Sequence, residues 1–337
     1  MTMLTMTRRD ILILASASAM TAFVSANAHA QDLKTVRIAL TAQTYNISIA
    51  EHEGFLAKHG LKAQLVPLAT GTETIAAAKG GSADIAYADT FAGVNAIHNG
   101  FDIKLVAGAN HTSPAVNYLV REDSDIKTVA DLKGRTLGLG GVPFFRVFAY
   151  KFLQGNNTDP KDVKFSIIKQ VSALPQALEN GAVDAIQTIG FQVAYLNDGV
   201  GEGYKFRPIV DPDTSKYQNP QAVQAGWWTT GDWARENEDT TKSFAEAYRE
   251  FATWFNGLDQ KRRVELAKQF DKVDFEELSA GDPQKLKNLA FLTTAKYVAG
   301  PVNTAATQEW IDSGVAAAPD QVADKISIAD YLLPTAQ

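Results

Sequence analysis

Two glycine-containing loops and two charged side chains have the types and spacing needed to recognise a small ion. Thr70-Gly71-Thr72 and Gly140-Gly141-Val142 each lead into a predicted helix, whose free backbone N–H groups can bind an anion. The alternative is that these glycines only make tight turns. Asp89 stands at the start of another predicted helix. It is either the N-cap of that helix or a carboxylate that attracts a cationic or hydroxylated ligand group. Arg146 either pairs with a ligand carboxylate or sulfonate or is solvated.

Side chains at other predicted strand ends and helix starts, together with aromatic residues that could form the pocket wall, are expected to complete the same site: Tyr45, Asn46, Thr90, Phe144, Gln187, Phe191 and Trp227. The aromatic members are alternatively core residues. Trp227 and Trp228 are adjacent on a predicted strand and must point to opposite faces, so at most one can face a ligand. We find no catalytic Ser/His/Asp order, no phosphate-binding Gly-x-x-x-x-Gly-Lys motif and no metal-ligand spacing among the five histidines. We therefore expect no catalytic residue, cofactor or metal ion.

The elements that position these residues are predicted strands alternating with helices, which is typical of an α/β fold with mostly parallel sheets flanked by helices. In the first half of the chain, strands are predicted at 36–40, 61–66, 85–88 and 103–109. Thr72 is the expected N-cap of the helix that follows the strand at 61–66. In open α/β sheets, ligands bind beyond the carboxyl ends of the strands. The candidate residues listed above lie at those ends or at the helix starts that follow them.

A short unit that occurs twice, one hundred residues apart, indicates two lobes built on one plan. Residues 77–86 and 177–186 each read as a helix end, a glycine stop and an aspartate that opens a short buried strand. Residues 118–121 are expected to cross into the second lobe, and residues 206–210 and 223–229 to cross back. We predict a first lobe at 31–115 plus 218–337, a second lobe at 116–217, and a ligand cleft between them.

Residues 1–30 are predicted to be an export signal peptide that is cleaved after Ala30. Thr7-Arg8-Arg9-Asp10-Ile11-Leu12 is similar to a twin-arginine signal, although export of the unfolded chain is also open. The sequence has no cysteine, which excludes disulfides and a lipidated N-terminal cysteine. The net charge of −6, without a basic stripe, argues against nucleic acid as a partner. We expect a monomeric protein that diffuses in the periplasm.

Several segments resemble the type II periplasmic solute-binding proteins of ABC importers, in the branch that takes up sulfonates, taurine and nitrate and that also includes binders of thiamine-pyrimidine precursors. The resemblance is carried by residues 53–61, by the two repeated units with Asp89-Thr90, by residues 126–135 and by Gly300-Pro301-Val302-Asn303. It implies a two-lobed fold that captures a small organic anion or zwitterion and delivers it to a membrane permease with its ATPase.

The resemblance also implies binding positions at Asn46, Gly71-Thr72, Asp89-Thr90 and Val142-Pro143. One segment differs: where the sulfonate and taurine binders usually carry Trp-x-Pro, this chain has Gln187-Thr188-Ile189-Gly190-Phe191. Alternatives to a sulfonate-like solute are therefore a thiamine-pyrimidine precursor or an aromatic carboxylate. A soluble partner that presents a ligand to a membrane sensor is another alternative. The related thiamine-pyrimidine synthases use a cysteine-rich segment that is missing here, so we expect no enzyme.

Overall fold

The computed structural model describes residues 32–41, 45–112, 116–189, 204–209, 217, 219–271, 274–282 and 295–337. Within this part of the chain, two β-sheets form. The first has the strand order β11-β4-β10-β3-β1-β2, with β1 (Lys34–Thr41), β2 (Leu61–Leu68), β3 (Ile85–Asp89), β4 (Ile103–Thr112), β10 (Ala225–Thr230) and β11 (Lys296–Tyr297). The second has the order β7-β6-β8-β5-β9, with β5 (Val116–Arg121), β6 (Thr136–Gly140), β7 (Lys164–Ile168), β8 (Ala185–Ile189) and β9 (Phe206–Pro208).

Both sheets are mixed because of the strands by which the chain enters them. Strands β1, β2 and β3 are parallel, as are β6, β7 and β8. In contrast, β10 is antiparallel to β3 and β4, and β5 is antiparallel to β8. A chain that leaves one sheet at its carboxyl edge and enters the other at the facing edge must run against the strands already there.

One predicted crossing is wrong. Residues 206–210 were expected to return to the first lobe, but β9 pairs with β5 in the second sheet, from Arg121 opposite Phe206 to Leu119 opposite Pro208. Strand β9 joins the second sheet at β5, because the outer side of β5 has N–H and C=O groups that no other strand of this sheet pairs with. The return to the first sheet takes place at β10, which agrees with the prediction for residues 223–229.

Helices cover the sheets and connect their strands. They are α1 (Tyr45–His52), α2 (Phe55–Lys58), α3 (Gly71–Lys79), α4 (Thr90–His98), α5 (Pro143–Gly155), α6 (Leu174–Glu179), α7 (Gly231–Glu236), α8 (Glu238–Asn256), α9 (Gln260–Asp271), α10 (Phe275–Ser279) and α11 (Thr304–Ala317). Among the described residues, none of these helices combines the length and the apolar composition required to cross a bilayer.

The repeated sequence unit has the same structure in both copies, as predicted. Gly81 and Gly181 follow α3 and α6 with φ of +72° in each, a conformation that a side chain disfavours. Asp84 accepts a hydrogen bond from the backbone N–H of Arg37 at 2.7 Å, and Asp184 accepts one from Thr136 at 2.7 Å. Each aspartate therefore fixes the start of one strand against its parallel neighbour.

The adjacent tryptophans lie in two different cores, which confirms that they face opposite sides of β10. Trp227 packs under α8 with Phe244 and Tyr248, at ring-centroid distances of 5.4 and 5.3 Å. Trp228 packs on the other side of the sheet, where its indole Nε1 donates to the carbonyl of Ala88 at 3.2 Å. Both indoles are fully buried, so each anchors one face of the first sheet.

Helix α11 contacts elements that belong to both sheets. The ring of Trp310 lies 5.2 Å from that of Phe91 on α4 and 5.3 Å from that of Phe148 on α5. Lys151 on α5 adds an ion pair to Glu309, with an N–O distance of 3.0 Å. The core of the second sheet therefore continues into the first through one aromatic cluster.

Candidate binding site

A short crossing connects the carboxyl edges of the two sheets. Thr112 ends β4, and Val116 begins β5 opposite Ile189, the last residue of β8. Four Cα–Cα steps of about 3.8 Å limit the distance between Thr112 and Val116 to about 15 Å. The edges that carry the predicted site loops are therefore separated, at this strand, by no more than the size of a small molecule.

On the first sheet, the structure brings Gly71 and Asp89 together. A Cβ atom on Gly71 would lie 3.2 Å from Oδ2 of Asp89 and 3.3 Å from the Cβ of Ala88, so a larger residue would crowd the carboxylate. Asp89 caps α4, since its Oδ1 accepts from the backbone N–H of Ala92 at 3.0 Å. The cap occupies Oδ1, and Oδ2 points toward the glycine at the start of α3.

The carboxylate of Asp89 lies in a poorly hydrated position. Burial raises the pKa of Asp89, and backbone hydrogen bonds, first of all that from Ala92, oppose the increase. Asp89 nevertheless keeps part of its surface accessible. A half-buried carboxylate of this kind favours a cationic or hydrogen-bond-donating partner, because such a partner replaces the lost hydration.

The start of α3 is less suited to an anion than the sequence predicts. The N-cap is Thr70 rather than Thr72: its hydroxyl accepts from the N–H of Glu73 at 3.2 Å, while the Glu73 carboxylate accepts from the N–H of Ala69 at 2.9 Å. The cap is two residues earlier than predicted because these two hydrogen bonds satisfy two backbone donors at the start of the helix. Thr70 and Thr72 are exposed, and the carboxylates of Glu73 and Asp89 give this edge a negative potential.

Two residues next to Asp89 were not among the predicted site residues. Tyr87 is two residues earlier on β3 and therefore shares the face of Asp89. The amide of Asn110, at the end of β4, donates to the Tyr87 hydroxyl at 3.0 Å, and burial raises the pKa of Tyr87 to about 12. The Oδ1 atom of Asn110 is buried and has no hydrogen-bond partner among the residues that the structure describes. The alternation of β3 was the signal that could have identified Tyr87.

Three predicted site residues make their hydrogen bonds or packing contacts inside the protein. Thr90 is 1% exposed, and its hydroxyl donates to the carbonyl of Val223 at 2.6 Å. Asn46 is 2% exposed: Oδ1 accepts from the next backbone N–H at 2.8 Å, and Nδ2 donates to the Tyr248 hydroxyl at 3.0 Å. Trp227 has no exposed surface. A solute can reach these groups only in an enclosed site or after a rearrangement.

On the second sheet, the loop before α5 is accessible and has a lysine beside it. Gly141 is half-buried and Val142 is 41% exposed. Lys169, directly after β7, packs its Cα 3.2 Å from the Cβ position of Gly141. Helix α5 begins without a side-chain cap and without an acidic residue in its first turn. The half-buried Phe144 stacks on Phe145 at 4.2 Å between ring centroids. This edge therefore favours an anion.

The remaining predicted residues differ in their accessibility. Arg146 donates from Nη1 to Oδ1 of Asp320 at 2.6 Å, an arrangement that neither reading of the sequence included. Gln187 is fully buried: its Nε2 donates to the hydroxyl of Tyr118 at 2.7 Å, and its Oε1 has no hydrogen-bond partner within the described part of the chain. Tyr45 begins α1, half-buried against the core under α8. Phe191 lies outside the described residues. The binding roles of all these residues stay predictions.

The described residues contain no cluster of three or more metal-ligating side chains. The arrangement is therefore that of a recognition site with two chemically different edges. Around Asp89 the first sheet presents hydrogen-bond acceptors and carboxylates. Around Gly141 the second presents a helix N-terminus and a lysine. These two edges together can hold a molecule with a donor or cationic end and an anionic end.

Comparison with known structures identifies the fold. The chain aligns with the periplasmic aliphatic sulphonate binding protein SsuA from Escherichia coli at a TM-score of 0.68 and 18% identity, covering 89% of this chain and 92% of that chain. The alkanesulfonate-binding protein SsuA from Xanthomonas axonopodis pv. citri, bound to MOPS, gives 0.64 and 17%, covering 90% and 99%. The ligand binding component of an ABC-type import system from Staphylococcus aureus, with zinc bound, gives 0.63 and 13%, covering 90% and 97%.

These similarities show the two-lobed periplasmic-binding-protein fold of type II, as predicted. No curated protein sequence gives a significant match. The profile of the family described as "NMT1/THI5 like" matches residues 41–255. Because this match covers more than half of the 337 residues, the chain belongs to the NMT1/THI5-like family.

Proposed function

We propose that this protein is the solute-binding component of an ABC importer and that it captures a small zwitterion between its two lobes. The fold is shared with sulfonate-binding proteins and with the ligand binding component of an ABC-type import system. The observation that carries the choice of a zwitterion is the difference between the two facing edges. Asp89 and Glu73 lie on one edge, and Lys169 with the uncapped start of α5 lies on the other.

The charge arrangement argues against a simple anion spanning the cleft. An anion that reached the start of α3 would meet two carboxylates, whereas an ammonium group there would be attracted by both. A sulfonate or carboxylate at the start of α5 would find free backbone N–H groups and a lysine. We propose that the ammonium end contacts Asp89, near Gly71 and Thr72, and that the acidic end contacts Gly141 and Val142.

In this proposal, solute binding closes one lobe on the other, and reopening of the lobes releases the solute. In this proposal residues 31–115 with 218–337 form the first lobe and residues 116–217 the second. The closed complex is a monomer that docks on the membrane permease with its ATPase, in the periplasm, after cleavage behind Ala30 and without a lipid anchor. The solute is released unchanged, so the protein is not an enzyme.

A thiamine-pyrimidine precursor or an aromatic carboxylate is the second candidate solute. The family includes THI5-like proteins by its description, and Phe144 keeps part of its ring accessible beside the α5 N-terminus. An aromatic solute would stack there at the ring-to-ring distances that Phe144 and Phe145 already show.

A matched set of two-carbon compounds tests the zwitterion. Taurine carries both charges, ethanesulfonate only the anion and ethanolamine only the cation. We expect taurine-like zwitterions to raise the melting temperature and to bind in calorimetry at least tenfold more tightly than either single-charge analogue. Small-angle scattering should show a decrease in the radius of gyration on binding. If ethanesulfonate binds as tightly as taurine, or if only aromatic compounds bind, the zwitterion proposal is wrong.

A further inference from the structure

A cavity lies on the first sheet, away from the sheet edges at which we propose the solute site. We propose that this cavity binds a small organic anion with an apolar body, such as a short-chain alkyl carboxylate or sulfonate. Its volume is about 450 Å³, which is within the range of small-molecule sites. Lys104 near the start of β4 and Gly231 just after β10 line it. Strand β10 runs from Ala225, paired with Asp89, to Thr230, so about 17 Å separates this cavity from the cleft edge.

Three elements form the walls of the cavity: α7, one face of α8 and the C-terminal segment. The C-terminal segment is held on β4 by two hydrogen bonds. The N–H of Leu333 donates to the carbonyl of Leu105 at 3.0 Å, and the hydroxyl of Thr335 donates to the carbonyl of Val106 at 2.9 Å. Apolar atoms of Ala234, Ala245 and Leu333 line the interior. An alkyl chain can therefore be buried against fixed walls.

Arg249 supplies the charge that an anion would recognise. Its guanidinium is half-buried at the end of the α8 wall and donates from Nη2 to the carbonyl of Thr335. Among the described residues, its buried Nε has no hydrogen-bond partner and no carboxylate pairs with the guanidinium. Burial lowers the pKa of Arg249, with the charge of Glu246 opposing the change. A cation held partly out of water without a counterion is costly, and a bound anion would offset that cost.

Basic side chains outnumber acidic ones among the residues that line the cavity. Four basic side chains and two acidic ones line it: Lys104, Arg235, Lys242, Arg249, Glu238 and Glu246. Lys104 and Arg235 have Asp102 within 3.3 and 3.8 Å, and Glu246 lies 3.8 Å from His59. Within the described part of the chain, Lys242 and Arg249 are left without a carboxylate partner. Both lie on α8 seven residues apart, on one face of the helix.

Calorimetric titration with hexanoate tests the site directly. We expect hexanoate to bind the wild-type protein. We expect 1-hexanol, which has the same chain without the charge, to bind at least about tenfold more weakly. Arg249→Gln should weaken hexanoate binding about tenfold. Lys242→Glu, an exposed change that leaves the fold intact, should weaken it as well by charge repulsion.

Two control variants separate this site from the cleft and from general charge effects. Arg121→Gln removes a surface arginine on β5 that pairs with Asp123, and Asp89→Asn changes the cleft. Both should leave the hexanoate affinity unchanged. Absence of binding at millimolar hexanoate overturns the proposal. Equal affinity in the wild type and the Lys242→Glu protein, or a loss of affinity in Asp89→Asn alone, also overturns it, even if Arg249→Gln does not fold.

Discussion

Asp89 combines a structural role and a proposed binding role, and two substitutions separate them. Asp89→Ala removes both the charge and the cap on α4, whereas Asp89→Asn removes the charge and keeps an oxygen that can accept from the N–H of Ala92. The loss of an N-cap costs about 1 kcal/mol. We therefore expect Asp89→Ala to be less stable than Asp89→Asn by about 1 kcal/mol at every pH.

The pH dependence gives the sign of the charge effect. Because burial raises the pKa of Asp89 above its ordinary value of 3.8, the folded protein holds this proton more tightly than the unfolded chain. The stability that Asp89 contributes is fully present below the unfolded pKa and is lost as the pH rises through the raised, folded one. Each unit of difference between the two pKa values corresponds to about 1.4 kcal/mol. Asp89→Asn should therefore be more stable than the wild type near neutral pH and lose this advantage in acid.

Urea unfolding, followed by tryptophan fluorescence at about pH 4 and about pH 7, measures both differences. The ligand-free protein must be used, since a bound amine would stabilise the charged form of Asp89. If Asp89→Asn is less stable than the wild type at neutral pH, the carboxylate is stabilised by its surroundings and the argument from burial is wrong. In the same preparations, Asp89→Asn should weaken taurine binding about 30-fold while changing ethanesulfonate binding little.

Four further substitutions test three contacts. Gly314→Ala should destabilise the protein by about 1–3 kcal/mol in thermal or urea unfolding, despite the helix propensity of alanine, because the new Cβ would lie 2.3 Å from the ring of Phe91; a neutral or stabilising effect would contradict the packing. If the ion pair is the main role of both residues, Arg146→Gln and Asp320→Asn should lower the stability equally, and the double variant should lower it no further. A drop in solute affinity with Arg146→Gln alone would instead favour a binding role for Arg146. Tyr248→Phe should cost about 1–3 kcal/mol, because the hydroxyl joins Asn46 to the carbonyl of Ala109; unchanged urea unfolding would show that this network is dispensable.

The sequence predicted the elements whose signals are local. The repeated units specify a helix end, a positive-φ glycine and an aspartate that bonds the neighbouring strand, and all of these depend on a few adjacent residues. The opposite faces of Trp227 and Trp228 follow from the alternation of a strand. Strand β9 was placed in the wrong sheet because three residues carry no information about which edge will be free to pair with them.

The candidate site was harder to predict because it depends on what side chains meet after folding. The sequence identified Gly71 and Asp89, which are adjacent in space. It did not reveal that the hydroxyl of Thr90 or the amide of Asn46 would be used by the protein's own backbone and by Tyr248. It gave no signal for the ion pair between Arg146 and Asp320, since their 174-residue separation leaves no local pattern. Charge at each edge likewise required Lys169 and Glu73 to be placed beside the loops.

Trp310 connects the lobe closure proposed above to one aromatic contact. Its ring touches Phe91 on one side and Phe148 on the other, so turning either half of the molecule must move aromatic surfaces across each other at this point. Phe91 and Phe148 belong to the helices that begin at Asp89 and Val142. In the lobe closure proposed above, repacking of this one tryptophan therefore accompanies any change in the distance between these two loops.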